Sequence, residues 1–331
     1  MRHLTISDYG SFLGLEGERL VVKQNGSLIK EIALSRLRTI SILKSGVSLS
    51  SDLIHSCALR GIRIFFLDWR GRTASAVIGQ NQHAVVKLRK AQFDLIDNRE
   101  RCFSIVKQII TSKIRNQRAV VLYFGKYLSK KDSVKSTISI YLSSLDPIIR
   151  YIHNDLSFSD NWKNVLFGLE GKTATMYWEV LSKMDLLGID FQEREGRNAN
   201  SITNKALNYG YSILLSYVWA AVDNAGLEVY AGLFHTDRPG KPSLVLDLME
   251  EYRAWVVDRA IIKIREKLST KKNFDFYLKK TISDEIHKTM STPYSYNKKK
   301  IKLENILQRQ IYRLAGSIVQ SKNYKGYSFK W

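Results

Sequence analysis

A histidine and two carboxylates lie close together in residues 233–258, which read LFHTDRPGKPSLVLDLMEEYRAWVVD. His235 stands in a turn-rich stretch, and Asp247 and Glu250 follow in a predicted helix that begins at Ser243, a residue type favoured at helix N-termini. Residues three positions apart project from adjacent helical turns, so the two carboxylates are expected to lie side by side. An imidazole and two carboxylates form half of a site for a divalent metal ion.

A further carboxylate, Glu170, stands between Gly168 and Gly171 in a second predicted helix, residues 160–184. Glu170 does not belong to the apolar stripe of that helix. A glycine in the middle of a helix costs about 1 kcal/mol relative to alanine, so two of them beside one acid need a reason. Either the helix packs closely against a neighbour, or a bulky object such as a nucleic-acid backbone approaches Glu170.

Oxygen ligands combined with an imidazole nitrogen suit Mn²⁺ or Mg²⁺, and the imidazole favours Mn²⁺. Such a cation polarises a phosphoryl oxygen and lowers the pKa of a bound water or hydroxyl. The spacing of His235, Asp247 and Glu250 matches no compact zinc motif. A single histidine is more often structural, so the metal interpretation depends on the combination of these residues with Glu170 and with basic surroundings.

The charge of the chain is unevenly distributed. The 331 residues carry a formal net charge of +21, but residues 161–250 are net −3 and residues 251–331 are net +12. A basic surface around a carboxylate site is typical of an enzyme that cuts or joins nucleic acid. A basic surface can also bind anionic lipid, although no amphipathic anchor is evident in the sequence.

Two groups of residues are candidates for binding nucleic acid. Asn204, Asn208 and Tyr211 share one helix face at spacings of four and three, close after Arg197. This polar stripe either binds phosphates or lines the site; the alternative is helix capping and hydrogen bonding between helices. In the basic C-terminal part, the lysines interleave with aromatic residues, as in proteins that grip a backbone and stack on bases. The strongest run there consists of Lys298, Lys299 and Lys300.

The elements that must position these residues fall into two regions. Residues 1–80 contain short β-branched runs, an Asn25-Gly26 hairpin signal and one helix over 51–60. After residue 80 the apolar period becomes helical. We therefore predict an α+β protein with a small β-rich domain, residues 1–82, followed by a large all-α domain, residues 83–331. The predicted helices of the second domain cover 84–116, 118–129, 134–153, 160–184, 202–225, 243–268, 282–290 and 299–320.

Cys57 and Cys102 lie in apolar segments and form no metal-type cluster, which indicates reduced core residues. No apolar run is long enough for a membrane span, and the first residues lack a signal-peptide pattern. We expect a soluble cytoplasmic protein. Residues 324–331 are expected to be mobile, because chain ends usually are.

The motifs together resemble those of the Cas-one family, the CRISPR-associated endonuclease/integrase of spacer acquisition. The resemblance is carried in order by FGLEGKTATMYW, NKALNYGYSILL and GLFHTDRPGKPSLVLDLMEEYRAWVVDRAI. The stretch IALSRLRTISILKSGVSLSSDLIHSCALRGIRIFFLDWRGR is similar to the β-domain of the same family, so the resemblance covers nearly the whole chain. The chain departs from the family pattern at Ala254, where a proline usually follows the helix arginine, here Arg253. We count Arg253 among the nucleic-acid-binding candidates.

The resemblance implies that Glu170, His235 and Glu250 are the catalytic metal ligands, with Asp247 as an adjacent acid. It also implies a prokaryotic homodimer that works with a small second CRISPR-associated subunit. Because the predicted strands of the β-rich domain carry few charges, we expect that domain to supply much of the two-fold interface. Its substrate would be DNA, as duplex, branched forms or 3′-ended fragments, which it inserts into the repeat array by attack of a 3′-hydroxyl on a phosphodiester. Two alternatives remain open, namely a structure-specific DNA repair nuclease and a non-catalytic DNA-binding scaffold with a buried ion-pair network.

Overall fold

The computed structural model of the chain describes residues 2–68, 73–79, 86–128, 132–188, 190–196, 198–236, 238–270 and 273–329. Across these residues, no helix is long and apolar enough to cross a membrane. The predicted junction between the two domains, at residues 80–84, lies outside the described ranges, so the boundary at residue 82 stays a prediction.

The N-terminal part contains two four-stranded sheets and one helix. The first sheet has the order β1-β5-β7-β8, and the second has the order β4-β3-β2-β6. In the first sheet only the β7–β8 pair is antiparallel, whereas in the second sheet only β2–β6 is parallel. The elements are β1 Arg2–Ile6, β2 Ser11–Glu16, β3 Arg19–Gln24, β4 Ser27–Ala33, a 3₁₀ turn Leu34–Arg36, β5 Leu37–Ile42, β6 Ser48–Leu49, α1 Ser51–Leu59, β7 Arg63–Leu67 and β8 Thr73–Val77.

Local sequence explains much of this arrangement. Asn25 and Gly26 form the two-residue turn between β3 and β4, and both have positive φ, as a type I′ hairpin turn requires. Ser50 caps α1, because its hydroxyl accepts a hydrogen bond from the Leu53 amide. The apolar strand β7 lies inside its sheet between β5 and β8 and is almost wholly buried, as its unbroken hydrophobic run predicts.

The remainder of the chain is mostly helical and shares one large hydrophobic core. Helices α3, α5, α6 and α7 are the ones that surround the site described below. The elements are α2 Val86–Asp97, α3 Arg99–Leu128, α4 Asp132–Arg150 with a π-helical turn Tyr151–Asp155, α5 Trp162–Lys183, α6 Ile202–Asn224, α7 Ser243–Tyr252 with a π-helical segment Arg253–Asp258, α8 Arg259–Lys263, α9 Arg265–Ser269, α10 Phe276–Ser291, β9 Pro293–Tyr296, β10 Lys299–Lys302 and α11 Leu303–Gln320.

The predicted fold class is confirmed, but two of the predicted helix boundaries were wrong. The predicted break at residue 117 is absent; α3 instead begins at Arg99, where the Asn98 side chain accepts from the Arg101 amide and caps the helix. Strand β2 was not predicted. Residues 299–302, predicted as helix, form the second strand of a hairpin, because Asn297 and Lys298 both take positive φ and close a two-residue turn.

The end of the chain is packed rather than mobile up to Phe329. Tyr324, Tyr327 and Phe329 are buried. The Asn116 side chain of α3 donates to the Tyr327 carbonyl at 2.9 Å and accepts from the Phe329 amide at 2.9 Å. The expectation of a mobile end is therefore wrong over 324–329, because this segment buries aromatic rings and satisfies its backbone groups against the core.

Candidate active site

His235 is held in one orientation by Asp247 of α7. The Asp247 carboxylate is fully buried and accepts from the backbone amides of Leu233, Phe234 and His235 at 2.7, 2.9 and 3.0 Å. It also lies 2.5 Å from Nδ1 of His235. An ionised carboxylate can only accept, so Nδ1 is the nitrogen that donates to Asp247, and in the neutral imidazole Nε2 is the nitrogen that offers a lone pair. The ring is 26% exposed, which leaves Nε2 available to a ligand.

Two other carboxylates meet at a lysine that the sequence did not single out. Lys113 of α3 pairs through Nζ with Oε1 of Glu170 on α5 and lies 2.7 Å from Oε2 of Glu250 on α7. Glu250 is buried, and its Oε1 is 2.9 Å from Nη1 of Arg253. Three helices therefore bring two carboxylates from distant parts of the sequence to one point.

Opposite charges nearby keep Glu250 and Lys113 ionised although both side chains are buried. Burial works to raise the pKa of the Glu250 carboxyl, but Arg253, Lys113 and, to a smaller extent, His235 outweigh burial and hold that pKa below its usual value. Burial likewise works to lower the pKa of the Lys113 ammonium, and the charges of Glu250 and Glu170 raise it. At neutral pH Glu250 is therefore a carboxylate and Lys113 an ammonium.

The arrangement places two carboxylates against one lysine. Among the described residues, Oε2 of Glu250 is buried and lies 2.7 Å from the Lys113 ammonium, at hydrogen-bond distance. Also among these residues, no three His, Cys, Asp or Glu side chains are arranged so that they could hold a metal. The carboxylates of Glu170 and Glu250 both contact the Lys113 ammonium, and His235 is near enough to Glu250 to act electrostatically on its carboxyl. This donor set suits a hard divalent cation.

The surroundings of Gly168 and Gly171 show whether close helix packing accounts for the two glycines beside Glu170. A Cβ added at Gly168 or Gly171 would meet no atom within 4 Å. Close helix packing therefore does not explain these glycines. They leave an open surface next to Glu170, whose side chain is 23% exposed, and this is the space that an approaching backbone would need.

A family model described as CRISPR associated protein Cas1 matches residues 4–295. Over its whole length the chain is also 47% identical to a protein of Francisella tularensis subsp. novicida called CRISPR-associated endonuclease Cas1 1, and the alignment covers 100% of both chains. The chain belongs to the Cas1 family. The resemblance seen in the sequence motifs is thereby confirmed.

Solved structures share the fold of this Cas1 chain at low sequence identity. A casposase bound to integration product aligns with a TM-score of 0.82 at 20% identity, over 98% of this chain and 93% of that chain. A chain of a Cas6-RT-Cas1–Cas2 complex aligns with a TM-score of 0.77 at 20% identity, over 99% of this chain and 36% of that one. At such identity these likenesses establish the fold alone.

The polar stripe on α6 of this Cas1 protein is engaged in internal hydrogen bonds. Asn204 is fully buried and accepts from the Glu195 amide, and Asn208 donates to the Gly196 carbonyl at 2.7 Å. Arg194 donates to both asparagines, at 3.1 Å to Asn204 and 2.6 Å to Asn208. Of the two interpretations of the stripe, hydrogen bonding between elements describes these contacts, and Asn204 has no surface left for DNA. Arg197 lies outside the described residues.

Tyr211 and Arg253 link this stripe to the carboxylate cluster. Tyr211 donates to Asp258 of the π-helical segment at 2.5 Å, and the Arg253 guanidinium lies 5.0 Å from the centroid of the Tyr211 ring. Arg253 in turn contacts Glu250, so its charge is used inside the site. The remaining candidates, Lys298, Lys299 and Lys300, lie in the β9–β10 hairpin and are exposed, which leaves them free to meet a phosphate backbone.

Lys113 could have been found from the sequence by one signal. It stands on the buried stripe of α3 with Ile110, Ile114 and Gln117. A lysine on such a stripe is seldom buried without a carboxylate partner. The partner itself could not have been named, because Glu170 and Glu250 approach Lys113 only through the packing of three helices.

Proposed function

We propose that this Cas1 family member is a divalent-metal-dependent DNA endonuclease and integrase that inserts DNA fragments as spacers into a CRISPR repeat array. The observation that carries the proposal is the meeting of Glu170 and Glu250 at one buried cation, Lys113. His235, whose Nδ1 faces Asp247, acts electrostatically on Glu250 and supplies the nitrogen donor of the proposed set. The family membership supports the endonuclease and integrase class.

In this proposal Glu170, Glu250 and Nε2 of His235 hold Mn²⁺ or Mg²⁺. The carboxylate oxygens of Glu170 and Glu250 and the imidazole nitrogen of His235 form a mixed oxygen and nitrogen donor set that fits such an ion. When bound, the ion polarises a phosphoryl oxygen and lowers the pKa of a hydroxyl. The protein's own part is to position these ligands, with Asp247 fixing the imidazole and Arg253 fixing Oε1 of Glu250.

The proposed joining step is a transesterification. The 3′-hydroxyl oxygen of the fragment forms a bond to phosphorus in the repeat strand, and the bond from that phosphorus to its original 3′-oxygen breaks. The attacking hydroxyl loses its proton and the leaving oxygen gains one, so no external oxidant or energy source is required. Attack by water on the same phosphorus gives strand cleavage, including cleavage of branched DNA.

We propose DNA and a small second CRISPR-associated subunit as partners, in line with the casposase bound to integration product and with the Cas1–Cas2 complex. We also propose a homodimer formed through residues 1–82. Strand β4 is the edge of its sheet, and its Leu28 and Ile29 are 54% and 62% exposed. Ile29→Lys should shift sedimentation towards a monomer, whereas Ile140→Lys, at a residue that is 68% exposed on α4, should not. Equal sedimentation of both variants would contradict this interface.

The function is tested by replacing the proposed ligands with their amides. Glu170→Gln and Glu250→Gln should each abolish Mn²⁺-dependent cutting and joining while leaving DNA affinity almost unchanged, because the basic surface supplies that affinity. Glu179→Gln is the matched control, since Glu179 lies on the same helix as Glu170 and pairs only with exposed Lys183 among the described residues. Full activity of Glu170→Gln would refute the assignment.

A second candidate is a non-catalytic DNA-binding scaffold, which is favoured by the ion pairs of Lys113 and Arg253 with the same carboxylates. In a scaffold the acids serve only to form these ion pairs, and a divalent ion causes neither cutting nor joining of the DNA. Strand joining assayed with EDTA and with Mn²⁺ separates the two. A structure-specific repair nuclease, the third possibility, would cut branched DNA but would not join 3′-hydroxyl ends.

A further inference from the structure

Lys113 occupies the centre of the carboxylate cluster. Its side chain is 9% exposed, and its ammonium contacts Glu170 from α5 and Glu250 from α7. Glu250 has a second cation, Arg253, on its other oxygen. Glu170 has no other side-chain partner among the described residues than Lys113. Arg253 also acts electrostatically on both acids, but Lys113 is the cation that is in direct ion-pair contact with both carboxylates.

Two converging carboxylates need such a compensating charge. Like charges within a few ångströms of each other in a poorly solvated site destabilise the fold and raise the pKa of one partner. Here Lys113 contacts both carboxylates and Arg253 contacts the other oxygen of Glu250, so each acid has a cation against it. A lysine suits this task, because it is a compact charge on a flexible stem that can move away, whereas an arginine would hold the carboxylates in a rigid fork.

We propose that Lys113 is a built-in counter-cation that holds Glu170 and Glu250 together before metal binding and that gives up its place between them to the metal. The proposal rests on the proposed function, since it assumes that these acids are metal ligands. It assigns to α3 a role in the metal site: the lysine keeps the acids paired in the metal-free protein and makes the metal compete with an internal cation.

The test is a Lys113→Met variant of the full chain, which retains the aliphatic stem and removes the charge. Mn²⁺ binding is measured by the loss of the free-ion electron paramagnetic resonance signal, and thermal unfolding is followed in EDTA and in saturating Mn²⁺. Lys107→Met is the matched control: Lys107 lies on the same helix, and its ammonium donates to the Leu156 carbonyl at 2.9 Å.

We expect Lys113→Met to bind Mn²⁺ about tenfold more tightly than the unaltered protein, in the range that groups around metal ligands usually contribute. In EDTA the variant should unfold at a lower temperature, and Mn²⁺ should raise its unfolding temperature by more than it raises that of the unaltered protein. Lys107→Met should show the unaltered Mn²⁺ affinity. If Lys113→Met does not fold in EDTA, Lys113→Gln, which offers an uncharged donor, takes its place in the same measurements.

Unchanged or weaker Mn²⁺ binding by Lys113→Met would overturn the proposal, because a competitor's removal must tighten binding. Weaker binding would instead make Lys113 a group that positions the ligands in the metal-bound state. These results differ from failure of the proposed function itself, in which the unaltered protein binds no Mn²⁺ and its DNA joining is insensitive to EDTA.

Discussion

The three carboxylates and the imidazole of the site have different neighbours, and these neighbours determine which of the groups is available to bind a metal ion. Asp247 uses both oxygens on three amides and an imidazole nitrogen, so it has no lone pair directed at an open space. Among the described residues, the carboxylates of Glu170 and Glu250 instead form ion pairs with Lys113 and Arg253, which are cations that a metal ion can replace. The proposed ligand role therefore suits the two glutamates, and Asp247 is the residue that orients His235.

Asp247→Asn should test this division. The amide nitrogen of asparagine is a donor, so it faces either a backbone amide or Nδ1 of His235 unfavourably, and the imidazole loses its fixed orientation. We expect Mn²⁺ affinity and strand joining to fall about 10–100-fold, with DNA affinity preserved. Asp160→Asn, at an exposed acid paired with Arg99, should leave both unchanged. Loss of activity as complete as that of Glu250→Gln would place Asp247 among the ligands instead.

Asp258 predicts a pH dependence of stability. Burial raises the pKa of its carboxyl to about 6, although hydrogen bonds from Tyr211 and Tyr177 and the charge of Arg194 work to lower it. The ordinary value is 3.8, so the folded state binds the extra proton between about pH 4 and 6, and stability is lost as the pH rises through that window. Asparagine does not titrate, so the Asp258→Asn variant should not lose this stability as the pH rises.

The free energy of unfolding of Asp258→Asn, relative to that of the unaltered protein, should therefore rise by up to about 3 kcal/mol from pH 4 to pH 7. Urea unfolding at several pH values measures it. The comparison isolates Asp258, because every other titrating group is common to both proteins. A difference that does not change with pH would contradict the raised pKa of Asp258.

Among the elements, the C-terminal segment 322–329 has the clearest structural role. The Phe329 ring stacks on Trp255 of the π-helical segment at 5.0 Å between centroids. Glu251, next to the proposed ligand Glu250, is buried and accepts from the Tyr324 hydroxyl and the Tyr327 amide, both at 2.8 Å. The segment thus covers the side of α7 that does not face Lys113, and it supports the helix that presents Glu250.

Phe329→Ala should destabilise the protein by about 3 kcal/mol, the lower part of the range for buried aromatic residues, since a segment at the chain end can detach locally. Urea unfolding gives the value, and faster cleavage of the end by a protease should accompany it. Phe276→Ala removes the same atoms from an exposed ring and should cost less than about 0.5 kcal/mol. Equal stability of the two variants would show that the packing of Phe329 contributes little.

For the molecule as a whole, the net charge of +21 is the dominant property, and it is concentrated in residues 251–331. Part of it is carried by the β9–β10 hairpin, whose Lys298, Lys299 and Lys300 are exposed. Other exposed lysines are paired with carboxylates and are partly neutralised: Lys23 with Glu16, Lys135 with Asp132 and Lys183 with Glu179.

We expect replacement of the three hairpin lysines by glutamine to weaken the salt dependence of binding to duplex DNA. The slope of log binding constant against log salt concentration should become less steep by up to about 3, because each phosphate contact contributes about 0.9 to that slope. Unrelated DNA sequences should be affected alike, since phosphate contacts carry no base information. The triple replacement of the paired lysines Lys23, Lys135 and Lys183 removes the same charge and should change the slope less. An equal change in both variants would indicate that only total charge matters.

Local patterns were sufficient for the fold class and for the candidate acids. The Asn25-Gly26 turn, the apolar strand β7 and the long helical periods are encoded within a few neighbouring residues, and they appear as predicted. The start of α3 was harder to predict from the sequence, because the break between α2 and α3 depends on the capping side chain of Asn98 rather than on the hydrophobic pattern. The residue types and their order also led to the prediction that Glu170, His235, Asp247 and Glu250 belong to one site.

The roles within the site depended on contacts between residues far apart in the chain. Lys113 lies 57 positions from Glu170, and its charge became meaningful only when α3, α5 and α7 packed together. Asn204 looked like a surface donor, but the 193–196 loop folds over it and buries it. Burial and ion pairing arise from the summed packing of many elements, and no local pattern contains that sum.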